Sequence, residues 1–579
     1  MDRKGITAVA IAIAVLLGWM YWNSKEMDKV AAQRTKEKAA AAEIAAKQTP
    51  AESVTPEPTA TQPAPAVPVE TASARKREVL AGPSAEYTFT NLGGGIETAQ
   101  LKTHEAEHGK KMVLNELGSI PIGAITDVAG EGTSAQFEGR VDDGAVVYER
   151  TDAQQLQVTK KFSVPKSADL DKDYIVTLDV TFTNRGTQPV TKAGYFIHTG
   201  ASAPVHARDE MRYIGFKWAG GKFTDVASFS GGWFRSERTV FTAVQEGIAW
   251  AAVADQYFTT LVTAVAPQQN ATAPMKQGGA SVWAKRFAIS DVAWSSTGHA
   301  NDGKTVPRYG MDGALGMPAF TLDPGKSFTQ TFRIYAGPRE YGRLRLMGEG
   351  QSDILDFGTF AIVSKTLLNS MNWLHGKLGS YAASIIVLTL LIKCLLWPMQ
   401  NKSTQSMKRM QLLQPKMTEI REKYQDDPTR MNSEIMKLYG DYGVNPVGGC
   451  LPMIVQIPIF FGFYNMLGKA VELRNSKFLW VHDLSQPDTI FHLPSLGWPV
   501  NVLPLCMAAT MLWQMMISPK SGDPTQQRMM MFMPLIFVFF CYNFASALAL
   551  YWTVQNLFSV AQLYATRNQA PPTLQKVRK

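Results

Sequence analysis

Cysteine is scarce in this chain. Of 579 residues only Cys394, Cys450, Cys506 and Cys541 are cysteine; all lie in or beside apolar segments of the C-terminal region, and the middle of the chain has none. That placement excludes a disulfide framework in the middle region and offers no thiolate set for a metal. The apolar segments also lack Asp and Glu, which excludes a buried ion pair or a carboxylate proton relay within them. No phosphate-cradling glycine loop is present, so nothing marks a nucleotide site, and the sequence gives no catalytic set, metal site or cofactor. Charged residues are few, at 18% against 45% hydrophobic. That average hides two populations: apolar residues crowd into the first 22 positions and the stretch after Tyr381, and the middle reads as ordinary soluble sequence. Lys and Arg number 58 against 49 Asp and Glu. The basic residues follow the ends of apolar segments instead of forming one stripe, which points to membrane topology and gives no nucleic-acid site.

Gly5 to Trp22 is an apolar run behind Arg3 and Lys4, ending in the aromatics Trp19, Tyr21 and Trp22. It predicts a transmembrane anchor over 1–23 with a cytoplasmic N-terminus, uncleaved because bulky aromatics stand where a signal cleavage site needs small residues. Residues 24–80, with Pro50, Pro56, Pro58, Pro63, Pro65 and Pro68, bury too little apolar surface to fold and read as a disordered Ala/Pro-rich linker. In 81–345 the pattern has period two. Tyr174, Val176, Leu178, Val180 and Phe182 alternate with mostly polar neighbours, and Asn184-Arg185-Gly186 and Asp323-Pro324-Gly325 mark turns. This predicts an antiparallel β-sandwich.

Phe360, Val363, Leu367, Met371, Leu374 and Leu378 recur at helical spacing, predicting an amphipathic helix over 355–379 that lies on the outer leaflet or packs on the β-domain. A second span over 380–399 ends at Lys402, Lys408 and Arg409, which places that end in the cytoplasm. A third over 450–468 returns outward and a fourth over 500–518 returns inward. The stretch 529–565 would reach roughly 55 Å as one helix, against a hydrocarbon core of about 30 Å. Two short spans hinged near Asn543 and Ser546 fit instead, and they leave the basic tail 566–579 in the cytoplasm. Length and charge together give six spans.

Lys393 carries the most weight, because a cation within a span costs several kcal/mol unless it faces protein interior or water. Thr389, Gln456, Gln555 and Asn556 could line a water-filled recess with it, and the recess would then attract acidic or polar segments of an incoming chain. The alternative is that Lys393, five residues before Pro398, snorkels to the headgroups. Between the second and third spans, over 400–449, one apolar stripe holds Met407, Met410, Met417, Ile420 and Tyr424. A second holds Met431, Ile435, Leu438 and Tyr442, with Asp427 as cap and Pro428 in the first turn. The pattern is an antiparallel helical hairpin whose stripes bury each other or, through pliable methionines, accept apolar partners. Pro415 either kinks or begins a helix. Pro452 and Pro458 interrupt the third span, and Gly462 and Gly468 offer close approach.

Asn445-Pro446-Val447-Gly448-Gly449-Cys450-Leu451-Pro452, followed by Gln456, Pro458 and Phe460, resembles the start of the third span in the YidC insertases, relatives of the Oxa and Alb insertases of organelles. Leu413-Gln414-Pro415-Lys416, Val471-Glu472-Leu473-Arg474, His482-Asp483-Leu484, Asp523-Pro524 and Leu550-Tyr551 match the same family. The resemblance covers nearly the whole chain. It implies a multi-domain bacterial inner-membrane protein: a periplasmic antiparallel β-supersandwich, and an α-helical transmembrane core of five spans after an N-terminal anchor span. It further implies a hydrophilic groove open to cytoplasm and lipid, and a non-enzymatic insertase and chaperone of nascent membrane proteins, acting alone or with the Sec translocon. The implied substrate contacts are Pro452, Pro458, Phe460, Tyr551 and Trp552. Met407, Met410, Met417 and Met431 of the hairpin would make first cytoplasmic contact, where a ribosome or targeting factor would dock, and the lipid bilayer is the remaining partner. The chain departs from the family at Lys393, where Arg is usual, at Trp552, commonly Tyr, and at Ala545-Ser546-Ala547 in place of Pro-Ser-Gly. A secondary transporter would also use a polar cavity, but the chain shows no paired halves and no intramembrane carboxylate. A membrane-anchored carbohydrate-binding protein rests on fold analogy alone.

Overall fold

The computed structural model describes residues 75–131, 135–206, 209–231, 236–265, 278–297, 308–445, 451–493, 499–518 and 536–566. The anchor, most of the linker, Pro446 to Cys450, Asp523-Pro524, the start of the 529–565 stretch and the basic tail lie outside these residues.

The alternation from Tyr174 to Phe182 is realised as a strand, Ile175–Asn184, with Val176, Leu178, Val180 and Phe182 fully buried. At its end Asn184 accepts from the Gly186 amide and donates to the Leu322 and Gln188 carbonyls, the asparagine turn its sequence predicts. The strand sits inside a nine-stranded antiparallel sheet. In spatial order the strands are Thr224–Asp225, Gly215–Trp218, Trp250–Ala254, Phe258–Ala264, Ser327–Pro338, Ile175–Asn184, Leu156–Ser163, Ala145–Thr151 and Glu138–Asp142. A five-stranded sheet, Val240–Ile248, Gly279–Ile289, Arg308–Met317, Tyr195–Ser202 and Ile125–Thr126, packs on it, and a four-stranded sheet starts the domain. Their inward residues form the core, as sheets with alternating apolar positions must.

The helices that follow are α1 Ala361–Leu378, α2 Tyr381–Leu412, α3 Gln414–Lys423, α4 Pro428–Asp441, α5 Leu451–Leu467, α6 Val502–Ile517 and α7 Ser546–Ala565, of which α2, α5, α6 and α7 carry the candidate site. The apolar face of α1 is spent on helices: Leu367, Met371 and Leu374 are buried where α1 packs on α2 and α5. The Ser364 hydroxyl donates to the Gly462 carbonyl at 3.1 Å. Gly462 permits this approach, since a Cβ there would come within 2.6 Å of Val363 Cγ1. Ile362, Trp373 and Leu378 of α1 remain exposed.

α2 is long and apolar enough to cross a membrane, and α6 and residues 454–467 of α5 are shorter apolar helices. Its 32 residues run unbroken past Pro398, giving a length of about 48 Å. The expected end of the second span near 399 is therefore not a helix end. Met407 and Met410 belong to α2, Met417 and Ile420 to α3, and Tyr424 to the turn after it, so the stripe read as one hairpin helix is divided. Pro415 is the second residue of α3, where its missing N–H costs nothing. Residues 536–541 are helical, the chain turns over 542–544, and α7 begins at Ser546, so the long C-terminal apolar stretch breaks where its length required.

Residues 417–445 belong to a second compact unit. Within it Asp427 caps α4 by accepting from the Arg430 amide. The Tyr439 hydroxyl reaches the Met417 sulfur at 3.3 Å, burying both.

The segment after α5 fastens the helices to the β-domain. Gln256 donates to the Gly468 carbonyl at 2.7 Å, and Arg474 donates to the Glu105 carbonyl and lies over the rings of Tyr257 and Phe258. The Glu472 carboxyl is held there by Asn372 at 3.2 Å, and burial pushes it up to about 7.

Candidate substrate groove

A helix carrying polar residues every fourth position presents them as one stripe. On α7 that stripe is Tyr551, Gln555 and Ser559, continued by Gln562. Lys393 of α2 donates to the Ser559 hydroxyl at 3.2 Å, and Ser559 donates back one turn to the Gln555 carbonyl at 3.0 Å. The Gln456 amide of α5 donates to Gln555 Oε1 at 2.9 Å and to the Tyr551 hydroxyl at 3.2 Å. Three helices are thus joined by one polar chain running from an ammonium to a phenol. Among the described residues no carboxylate pairs with Lys393, and its hydrogen-bond partner is the Ser559 hydroxyl. Gln562 Nε2 and Asn401 Oδ1 are also buried without a partner among the described residues, and buried polar atoms of this kind take up water when there is room. Toward the end of α7, Lys408 donates to the Thr566 carbonyl at 3.0 Å, a cation at the negative end of the helix dipole.

Of the five residues expected to line the recess, the structure brings together Lys393, Gln456 and Gln555. Thr389 is buried and its hydroxyl returns to the Ile385 carbonyl of its own helix at 2.6 Å. Asn556 faces α6, donating to Thr510 Oγ1 at 3.2 Å and the Met507 carbonyl at 3.4 Å, so it joins α7 to α6. Tyr551, expected at a substrate surface, is only 2% exposed and stacks on Phe463 with ring centroids 4.1 Å apart. Trp552 sits edge-on to Phe460 at 4.8 Å and to Phe537 at 4.4 Å, giving an aromatic wall. Pro458 is half-buried within α5, and the Pro452 side chain lies outside the described residues. Of the hairpin methionines, Met417 is buried under Tyr439, and Met407, Met410 and Met431 are half-buried. Sequence reasoning missed Ser559 and Gln562, although their spacing of four and then three residues from Gln555 was there to be read.

Around this polar chain the helices expose apolar side chains: Leu391 and Leu395 of α2, Ile457 and Phe461 of α5, Met516 of α6 and Leu557 of α7. A polar seam inside an apolar exterior has the arrangement needed to hold hydrophilic groups at membrane depth.

Comparison with known proteins agrees with this architecture. Residues 80–370 match the YidC periplasmic domain family and residues 373–573 match the family described as 60Kd inner membrane protein. The membrane protein insertase YidC of Pelobacter propionicus is 29% identical over 580 residues, 97% of this chain and 98% of that protein. That of Citrifermentans bemidjiense is 32% identical over 494 residues, 82% of each. That of Syntrophus aciditrophicus is 45% identical over 259 residues, 44% of this chain and 46% of its own. With one family match spanning the β-domain, another the helices, and two of these relatives alignable along most of their length, the chain belongs to the YidC family of membrane protein insertases.

Proposed function

We propose that the chain inserts hydrophobic segments into the bilayer by holding their polar flanks on the seam of Lys393, Ser559, Gln555, Gln456 and Tyr551 while the apolar part passes between α5 and α7 into lipid. The observation that carries this reading is the hydrogen-bonded chain across α2, α5 and α7, in which the cation's hydrogen-bond partner is the Ser559 hydroxyl. An uncompensated ammonium in a low-dielectric setting attracts acidic and polar groups and lowers the cost of moving them out of water. Phe460 and Trp552 supply a wall for the apolar segment, and its burial in lipid supplies the energy, so no covalent step and no nucleotide enter the scheme.

In this reading the chain spans the inner membrane six times with both termini cytoplasmic and the β-domain in the periplasm. The hairpin of α3 and α4, with Met436 exposed, makes the first contact with the incoming chain beside a ribosome or targeting factor. Segments also arrive from the Sec translocon, and the same seam then acts as a chaperone during folding.

The test is reconstitution of the purified chain into liposomes, scored by protease-protected insertion of a small coat-type protein. Lys393→Ala should lower insertion of substrates with acidic or polar translocated segments about tenfold, equivalent to about 1.4 kcal/mol. Lys393→Arg should stay close to the parent. Unchanged insertion of every substrate by the Ala variant would assign Lys393 to snorkelling and remove it from the mechanism.

A further inference from the structure

A tight turn at Phe478 and Val481, which exchange backbone hydrogen bonds at 2.9 and 2.7 Å, puts Leu479 and Trp480 at its tip. Leu479 holds φ at +50° and is 76% exposed. Left-handed backbone disfavours a bulky branched side chain, and the usual occupants of such a tip are Asn and Gly. Here a strained backbone projects an apolar side chain outward. The strand Thr489–His492 pairs with Pro499–Asn501, and its register slips between Thr489 and Phe491, leaving Ile490 as an extra residue. Bulges re-aim side chains, and this one leaves the neighbours Ile490 and Phe491 each 54% exposed. Leu493 is exposed as well.

These apolar groups stand level with the start of α6. The Asp488 carboxylate accepts from the Trp480 indole N–H at 3.0 Å and from the Leu503 amide, in the first turn of α6, at 2.6 Å. Asn501, the residue before α6, bonds Thr489 on one side and the Tyr542 carbonyl on the other, both at 2.7 Å. The Phe478–Val481 turn, the small sheet, the first turn of α6 and the turn at Tyr542 are therefore tied together by hydrogen bonds. We infer that the Leu479–Trp480 turn and the Ile490–Phe491 bulge form a docking surface for the outer leaflet of the phospholipid bilayer, inserting beside the outer end of α6. Continuity with the exposed apolar face of α6, which carries Leu505, Trp513 and Met516, selects lipid as the occupant. Aromatic and aliphatic side chains at the end of a span favour the interface, and exposed Lys477 and His492 flank the patch at headgroup level. The inference rests on the six-span topology, which places the segment between α5 and α6 outside.

The experiment uses the full chain with its four cysteines replaced, reconstituted at no more than one copy per vesicle. A single Leu479→Cys or Phe491→Cys carries an environment-sensitive fluorophore. Val244→Cys is the reference, at a position 80% exposed on the β-domain. Lipids bearing a nitroxide near the headgroup should quench the probes at 479 and 491 at least about twofold more than deep nitroxides or aqueous iodide do, and the reference should show the reverse. Iodide quenching at 479 and 491 equal to that at 244 would overturn the proposal. Apolar emission with no lipid quenching would also overturn it, in favour of a protein-covered surface. A membrane-impermeant reductant distinguishes the topology: lipid quenching at 479 from the side opposite position 244 would keep the turn in lipid and overturn the outer assignment.

Discussion

Lys393 shows what a single residue contributes and how far its role could be read in advance. A cation amid an apolar run is visible in sequence, and so are glutamines in two other runs; that Lys393, Gln456 and Gln555 share one hydrogen-bonded chain is a property of helix rotation, which composition does not encode. Thr389 shows the opposite case, because a threonine in a helix always has the carbonyl one turn back within reach, and nothing local says whether it will take it. In the β-domain, Asp312 gives a pH-dependent prediction. It is buried, Oδ1 has no partner among the described residues, and burial pushes its carboxyl up to about 7, with Lys285 pulling the other way. A raised acid binds its proton more tightly when folded. Its contribution to stability is therefore complete below the unfolded value near 4 and is lost as pH rises toward 7. Comparing melting temperatures across that window, the parent should lose more stability than Asp312→Asn, and parallel curves would mean that the carboxyl is ionised throughout.

Elements were legible wherever period and punctuation agreed. The strand through Val176 to Phe182 and the cap at Asp427 with Pro428 behind it followed from residues close in sequence, and the break before Ser546 from the length of the apolar stretch that it divides. The run of α2 through Pro398 did not, because a proline removes one hydrogen bond from a helix without dictating that it stop when the flanking turns are held. The face of α1 was legible as apolar, but what covers it was not, since lipid, sheet and helix all accept the same side chains. Its contact with α5 can be tested at Gly462. A methyl there would press on Val363, so Gly462→Ala should destabilise the chain in detergent by about 1–3 kcal/mol, as overpacking does. Val363→Ala should recover part of that loss. If Gly462→Ala melts with the parent, the two helices are not in close contact.

At the scale of the molecule, the β-domain is joined to α1, α2 and α5–α7 through Gln256, Arg474 and the segment after α5, and a polar seam lies among these helices inside exposed apolar side chains. The family was legible from the run Asn445 to Pro452 and its companions, and with it the verb, insertion, which no physical pattern in the sequence supplies. The six-span topology predicts that Ala570→Cys reacts with a membrane-impermeant thiol reagent only from the cytoplasmic side, and reaction from outside would remove one span from the count. The central claim is that a translocating segment occupies the seam between α2, α5 and α7. It is tested most directly by photo-crosslinking, with a photoreactive amino acid at position 456 or 555 in chains that still insert, and an arrested nascent membrane protein as target. Crosslinks to the nascent segment from both positions, and none from position 244 on the β-domain, are the predicted result. Normal insertion with no crosslink from either seam position would contradict the account.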